Sequence, residues 1–258
     1  MMNANEMESN GCERAIRFVN QTTLPTLILL IIHLAFCGGN QAAENQRPKH
    51  LVNAIEIIKH LDLGNTSYLH GKPDVQFAQP CRSHADCSGF LSELLATSYG
   101  FTPEQFKMWF GRERPTADRY HDAVIQQEIF ERIPSLKDVH PGDILAVKYQ
   151  HPKEKSTGHL MLVAGTPRLL NPKEPIFPAT EQWEIPIIDS ARSGHGKNDT
   201  RHAKGQNGKD HDGLGEGILR VYTEQNGEVF GHTWSVSGKH FLSQQEENMA
   251  IGRLRPIK

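Results

Sequence analysis

A cysteine stands at position 87 in the run Asp86-Cys87-Ser88-Gly89-Phe90, and Phe90, Leu91, Leu94 and Leu95 recur at helical spacing until Tyr99-Gly100 closes the segment. Asp86 is a suitable N-cap, so Cys87 falls in the first turn of the predicted helix. The attacking form of a cysteine is its thiolate, and a free thiol ionises only near about 8.5. The unpaired N–H groups and positive dipole end of a helix N-terminus favour the anion, and an imidazolium beside it completes a nucleophilic pair. The Cys87 N–H is also placed to serve as an oxyanion donor. These residue types suit attack on an acyl carbon.

Such a pair needs a base, and the chain holds 14 histidines. His159 follows Gly158 and opens the apolar run Leu160-Met161-Leu162-Val163, so a strand would carry it to a sheet end facing the Cys87 helix. A strand-end histidine commonly does no more than pack; the Cys87 helix is what selects this one. The second imidazole nitrogen needs an acceptor that fixes tautomer and orientation. Asp189, in Ile187-Ile188-Asp189-Ser190 on the next predicted strand, is the expected acceptor, with His195 as the alternative.

The elements that must position these groups change character along the chain. An amphipathic helix is expected from His50 to Asp62, and Ser67 to His84, with Gly71, Pro73 and Pro80, reads as a wrapping loop. Thr102-Pro103-Glu104 opens a short helix, and another is expected from Asp118 to Glu131. After His140-Pro141-Gly142 the pattern becomes strands: Asp143–Tyr149, Gly158–Ala164, Trp183–Asp189, Gly217–Thr223, Glu228–Val236 and Met249–Leu254. Helices first and strands second predict an α+β fold. Ser193 to Gly217, with seven glycines and His195, His202 and His211, reads as a long polar surface loop. Arg112 and Arg114, around Glu113, read as a solvated face that could also hold a substrate carboxylate.

Arg14 and Arg17, the apolar run Leu24–Cys37 and the pair Ala42-Ala43 follow the order of a secretory signal peptide. The run is interrupted by Pro25 and His33 and falls short of the roughly 18–20 apolar residues of a membrane span. A leader over 1–43 and one catalytic domain over 44–258 are expected. Cys12 and Cys37 would leave with the leader, Cys37 being otherwise open to acylation. Cys81 and Cys87 would remain, and their spacing would also permit a small disulfide. A formal charge of only -2 gives no field toward nucleic acid or an anionic membrane.

The chain resembles the NlpC family of papain-like cysteine peptidases. The likeness rests on Asp86-Cys87-Ser88-Gly89-Phe90, on Pro141-Gly142-Asp143-Ile144 opening a strand, on Gly158-His159 and on Ile188-Asp189-Ser190. The resemblance implies a papain-like fold, with a helical N-terminal half whose catalytic helix packs on an antiparallel sheet or barrel. It implies a nucleophile at Cys87, a base at His159, a polar third residue at Asp189 and a site tyrosine at Tyr68, with Asp86 and Ser88 beside the substrate. No cofactor or metal is implied. The expected partner is peptidoglycan or another peptide substrate, met by a monomer exported to the periplasm or cell envelope, with no nucleic acid and no stable membrane span. An amidase or acyl hydrolase acting elsewhere, or a non-catalytic envelope binding domain, is the alternative.

Overall fold

The computed structural model describes residues 47–153, 156–202 and 210–256, so the expected leader lies outside the described residues. The chain is α+β. Helix α1 (Lys49–His60) buries Leu51, Ala54 and Ile57 along one face. Helix α2 (Cys87–Tyr99) starts where the Asp86 carboxylate accepts from the Gly89 N–H and stops at Gly100, which takes the left-handed conformation open to glycine. Helix α3 (Pro103–Phe110) is opened by a Thr102–Gln105 capping box with proline at its start. Helix α4 (Ala117–Gln126) is shorter than expected. Gln127 turns left-handed and ends it, and Phe130–Arg132 becomes an edge strand, β4, rather than helix. No described helix is long and apolar enough to cross a membrane.

The stretch expected as one wrapping loop contains strands too short to show periodicity. Strands β1 (Thr66–Ser67), β2 (Asp74–Gln76) and β3 (Arg82–His84) form a small sheet in which β1 and β3 run parallel. The large sheet joins β4 to β5 (Ile144–Lys153), β6 (Ser156–Val163), β7 (Arg168–Leu169), β8 (Thr180–Ala191), β9 (Gly213–Glu224), β10 (Val229–Thr233), β11 (Leu242–Ser243) and β12 (Glu247–Leu254). Its order is β11-β10-β9-β8-β6-β5-β12-β4, with β7 added on β8 and every neighbour antiparallel. The sheet is open. No pairing among the described residues joins its ends, so the barrel expected as an alternative is not formed.

Both faces of the central strands are buried. Ile144, Ala146, Leu160, Leu162 and Ile188 pack in one cluster with Leu91, Leu94 and Leu95 of α2. Leu145, Val147, Met161, Val163 and Ile187 fill the opposite face with Leu136, Val139 and Leu219. Two-sided burial is why these strands read as continuous apolar runs instead of alternating ones. Helix α2 packs on β6 and β8. A buried hydrogen bond from Ser190 Oγ to the Ala85 carbonyl, 2.6 Å, ties β8 to the turn that enters Cys87.

Candidate active site

Pairing of Leu162 with Ile188 and Val163 with Ile187 sets the register between β6 and β8. Alternation along each strand then puts His159 and Asp189 on one face, a diagonal step apart and within reach of each other. His159 Nε2 donates to Asp189 Oδ2 at 2.5 Å. Its Nδ1 is not engaged by Asp189, and Cys87 is near enough to act on the ionisation of the ring. Burial disfavours a charged His159, but the negative charge of Cys87 and the hydrogen bond to Asp189 outweigh it and push the ring up to about 10. Gly158 lets β6 approach β5 here, because a Cβ at that position would run into the Val147 carbonyl oxygen.

Asp189 is a hub, being 1% exposed with both carboxylate oxygens and its carbonyl engaged. His195 Nε2 donates to the same Oδ2 at 2.8 Å, and Arg201 Nη2 donates to Oδ1 at 2.8 Å. Burial would raise this carboxyl, yet His195, Arg201 and the imidazole hydrogen bonds hold it well below the usual carboxylate range. The two groups weighed as alternatives, Asp189 and His195, are therefore both present and in contact. Arg201, fully buried, uses all five of its N–H donors: two on Asp199 at 2.8 Å each, one on Asp189 Oδ1, and one each on the Asp189 and Gly213 carbonyls at 3.2 and 3.0 Å.

The polar loop expected after Ser193 is in its described parts a packed element. Asp199 and Arg201 are buried, and β9 already begins at Gly213. Glycines 213, 215 and 217 alternate along the first half of β9 and leave that part of one face without side chains, before Leu219 and Val221 continue it. A Cβ at Gly215 would stand 2.8 Å from Arg201 Nε, and one at Gly217 2.5 Å from Asp199 Oδ2. Gly215 pairs with Asp189, so its missing side chain is the room through which Arg201 reaches the carboxylate. The role of Arg201 escapes sequence reasoning, although the Gly-x-Gly-x-Gly spacing was a usable signal for a close approach.

Tyr68 is half-buried near Cys87; burial first, and then the charge of Cys87, raise its phenol above the ordinary tyrosine value. Arg192 stands over its ring at 5.5 Å. Asp86 is engaged as a cap, Oδ1 accepting from the Gly89 N–H at 2.7 Å and Ser88 Oγ at 3.0 Å, and Oδ2 facing His70 at 3.0 Å. Asp86 and Ser88 also line a cleft of about 880 Å³ along α2, with Lys72, Lys107, Arg112 and Arg114 around it. Two further neighbours carried no sequence signal. Tyr149 feels both Glu247 and Cys87, and the Trp234 ring stands edge-on to His159 with centres 5.4 Å apart. Cys81 and Cys87 are both free thiols.

His159, Asp189 and His195 are also the residue types that bind metals, with their ligand atoms close together. Ligand bonds of about 2.0–2.1 Å in a tetrahedral zinc site would set those atoms about 3.3 Å apart. Here the imidazole nitrogens stand 2.5 and 2.8 Å from Asp189 Oδ2, which is hydrogen-bond spacing.

Fold and site together define an α+β chain in which a helix-start cysteine stands near a strand histidine that is hydrogen-bonded to a buried carboxylate. The chain belongs to the same family as an uncharacterized protein of Acanthamoeba polyphaga mimivirus, with 31% identity over 226 residues, covering 82% of this chain and 98% of that protein. No protein-family model and no solved structure matches the chain.

Proposed function

We propose that this protein is a papain-like cysteine hydrolase that cleaves an amide bond, with peptidoglycan stem peptides as its substrate class. The observation that carries the reading is the buried His159–Asp189 hydrogen bond beside Cys87, in which Asp189 takes the Nε2 hydrogen and leaves Nδ1 available to the thiol. The Cys87 sulfur attacks the carbonyl carbon while His159 holds the thiol proton. As the first residue of α2, Cys87 has an N–H with no partner inside the helix, which suits it to the oxyanion together with the Tyr68 phenol. The tetrahedral adduct collapses as Nδ1 gives its proton to the leaving amine, leaving a thioester at Cys87. Water then attacks the thioester and gives Nδ1 a proton; Cys87 departs as the free acid forms. The cleft beside α2 reaches Cys87 only through its neighbours Asp86 and Ser88 and carries Glu93 and Glu113 as well as Lys72, Lys107, Arg112 and Arg114; the four cations are the groups that would meet a carboxylate on the peptide.

The test is incubation of the full chain with purified peptidoglycan fragments, followed by mass spectrometry for new amine and acid ends. Cleavage that disappears in Cys87→Ala is the expected result. Cleavage that persists in that variant contradicts the reading, and cleavage of an unrelated amide alone keeps the chemistry while overturning the substrate.

A further inference from the structure

Asp189 meets two imidazoles, and the proposed catalysis uses only one of them. The other, His195, is 7% exposed and points Nε2 at Asp189 Oδ2 and Nδ1 at the Trp234 carbonyl, each at 2.8 Å. A carbonyl oxygen and an ionised carboxylate can only accept. Both contacts are hydrogen bonds only when both ring nitrogens carry hydrogen, which makes the ring a cation.

Its surroundings fit that requirement. Asp189 lies on β8. Asp199, in the loop of His195 itself, accepts the His195 backbone N–H at 2.7 Å through Oδ2. Arg201 bridges the two carboxylates. On β6 the His159 ring stands 6.1 Å away, and the Trp234 ring stands at 5.8 Å. In formal charge, Asp189 and Asp199 are offset by Arg201 and a cationic His195. The Cys87–His159 pair adds nothing to this balance, since it is neutral in sum whether the shared proton sits on sulfur or on nitrogen. The other charged groups around His195 are Glu216 on β9, half-buried near Asp199, and Lys173 and Lys197, which line a small pocket together with His195.

We propose that His195 is a positioning residue, a buried imidazolium that shares Asp189 with His159 and holds the carboxylate in the orientation and at the charge the Cys87–His159 pair requires. Its catalytic consequence rests on the hydrolase reading; its two ring hydrogens do not. Metal ligation by the same three residues is the competing use of the cluster, and it would need at least one of those Nε2 hydrogens to leave.

Two measurements on the full chain test the proposal. In long-range proton–nitrogen spectra at pH 7, His195, assigned through its contact with the Trp234 indole, shows hydrogen on both ring nitrogens, and added zinc leaves those signals in place. In His195→Gln, which keeps a donor but loses the charge, kcat/KM falls at least about ten-fold and both limbs of its pH profile move upward. The loss of a nearby cation destabilises a thiolate and relieves an imidazolium of repulsion, so both ionisations shift in the same direction. A purely structural lesion lowers activity and moves neither limb. A single ring hydrogen on His195 at pH 7, its replacement by zinc, or limbs that coincide with those of the wild type overturns the proposal. A wild-type chain without hydrolase activity overturns the reading of function instead, and the spectrum still decides His195.

Discussion

Cys81 and Cys87 are almost equally shielded, at 3% and 5% exposure, so the residues around them separate their chemistry. Among the described residues Cys81 Sγ has the Phe77 carbonyl as its one hydrogen-bond partner, at 3.4 Å. Cys87 has a helix start, an imidazole and, behind that, a carboxylate. Exchanging Asp189 for Asn keeps the size of the side chain but can present a donor to Nε2 where an acceptor is required. Turnover is expected to fall about a hundred-fold or more, with little change in KM, in steady-state kinetics on a cleaved fragment. Removing the Arg201 guanidinium strands two carboxylates, and Arg201→Ala is expected to cost about 3–5 kcal/mol in urea unfolding. A loss under about 1 kcal/mol would show that the buried ion network contributes little. Cys87, His159 and Asp189 were legible in the sequence because each stands in an element with its own pattern: a capped helix, a glycine-led strand, an apolar strand with one acid. Arg201 was not, because a lone arginine in a glycine- and histidine-rich stretch has no periodicity, and its partner Asp189 is brought to it only by the fold.

The helices and long strands were readable wherever caps or apolar runs marked them, as at Asp86, Thr102 and Gly100. Strands of two or three residues left no pattern, and the end of α4 depended on Gln127 adopting a left-handed backbone that its side chain does not announce. Glycine at the start of β9 misled in a physical way. It signalled freedom, whereas its use is vacancy, since an alternate-glycine face lets a charged loop lie against a strand. Gly215→Ala tests this. The added methyl is expected to push Arg201 away from Asp189 and destabilise the chain by about 1–3 kcal/mol, with a lowered melting temperature in calorimetry. A substitution without effect would mean that the loop moves aside freely.

At the scale of the molecule, the site lies where α2 meets the central strands β6 and β8 of an open antiparallel sheet, and its buried charges make stability depend on pH. Asp189 is depressed, so its contribution is present above the ordinary aspartate value of about 3.9 and is lost as pH falls below it. His159 is raised to about 10, so its contribution is full below about 6.5 and is lost as pH climbs from there through about 10. Urea midpoints are therefore expected to be highest between about pH 4 and 6.5 and to fall on both sides. In Cys87→Ser the alkaline decline is expected to be smaller, because the charge that does most to raise His159 has gone. An identical decline in the variant contradicts the coupling of the two residues.

The coupling of Cys87 to His159 is tested most directly by limited alkylation of the full chain with iodoacetamide at pH 6, followed residue by residue by peptide mass spectrometry. Nearly equal burial of the two thiols makes access a shared factor. Cys87 is expected to react at least about ten-fold faster than Cys81, and to lose that advantage in His159→Ala. Equal rates for the two cysteines in the wild-type protein would contradict an activated nucleophile at position 87.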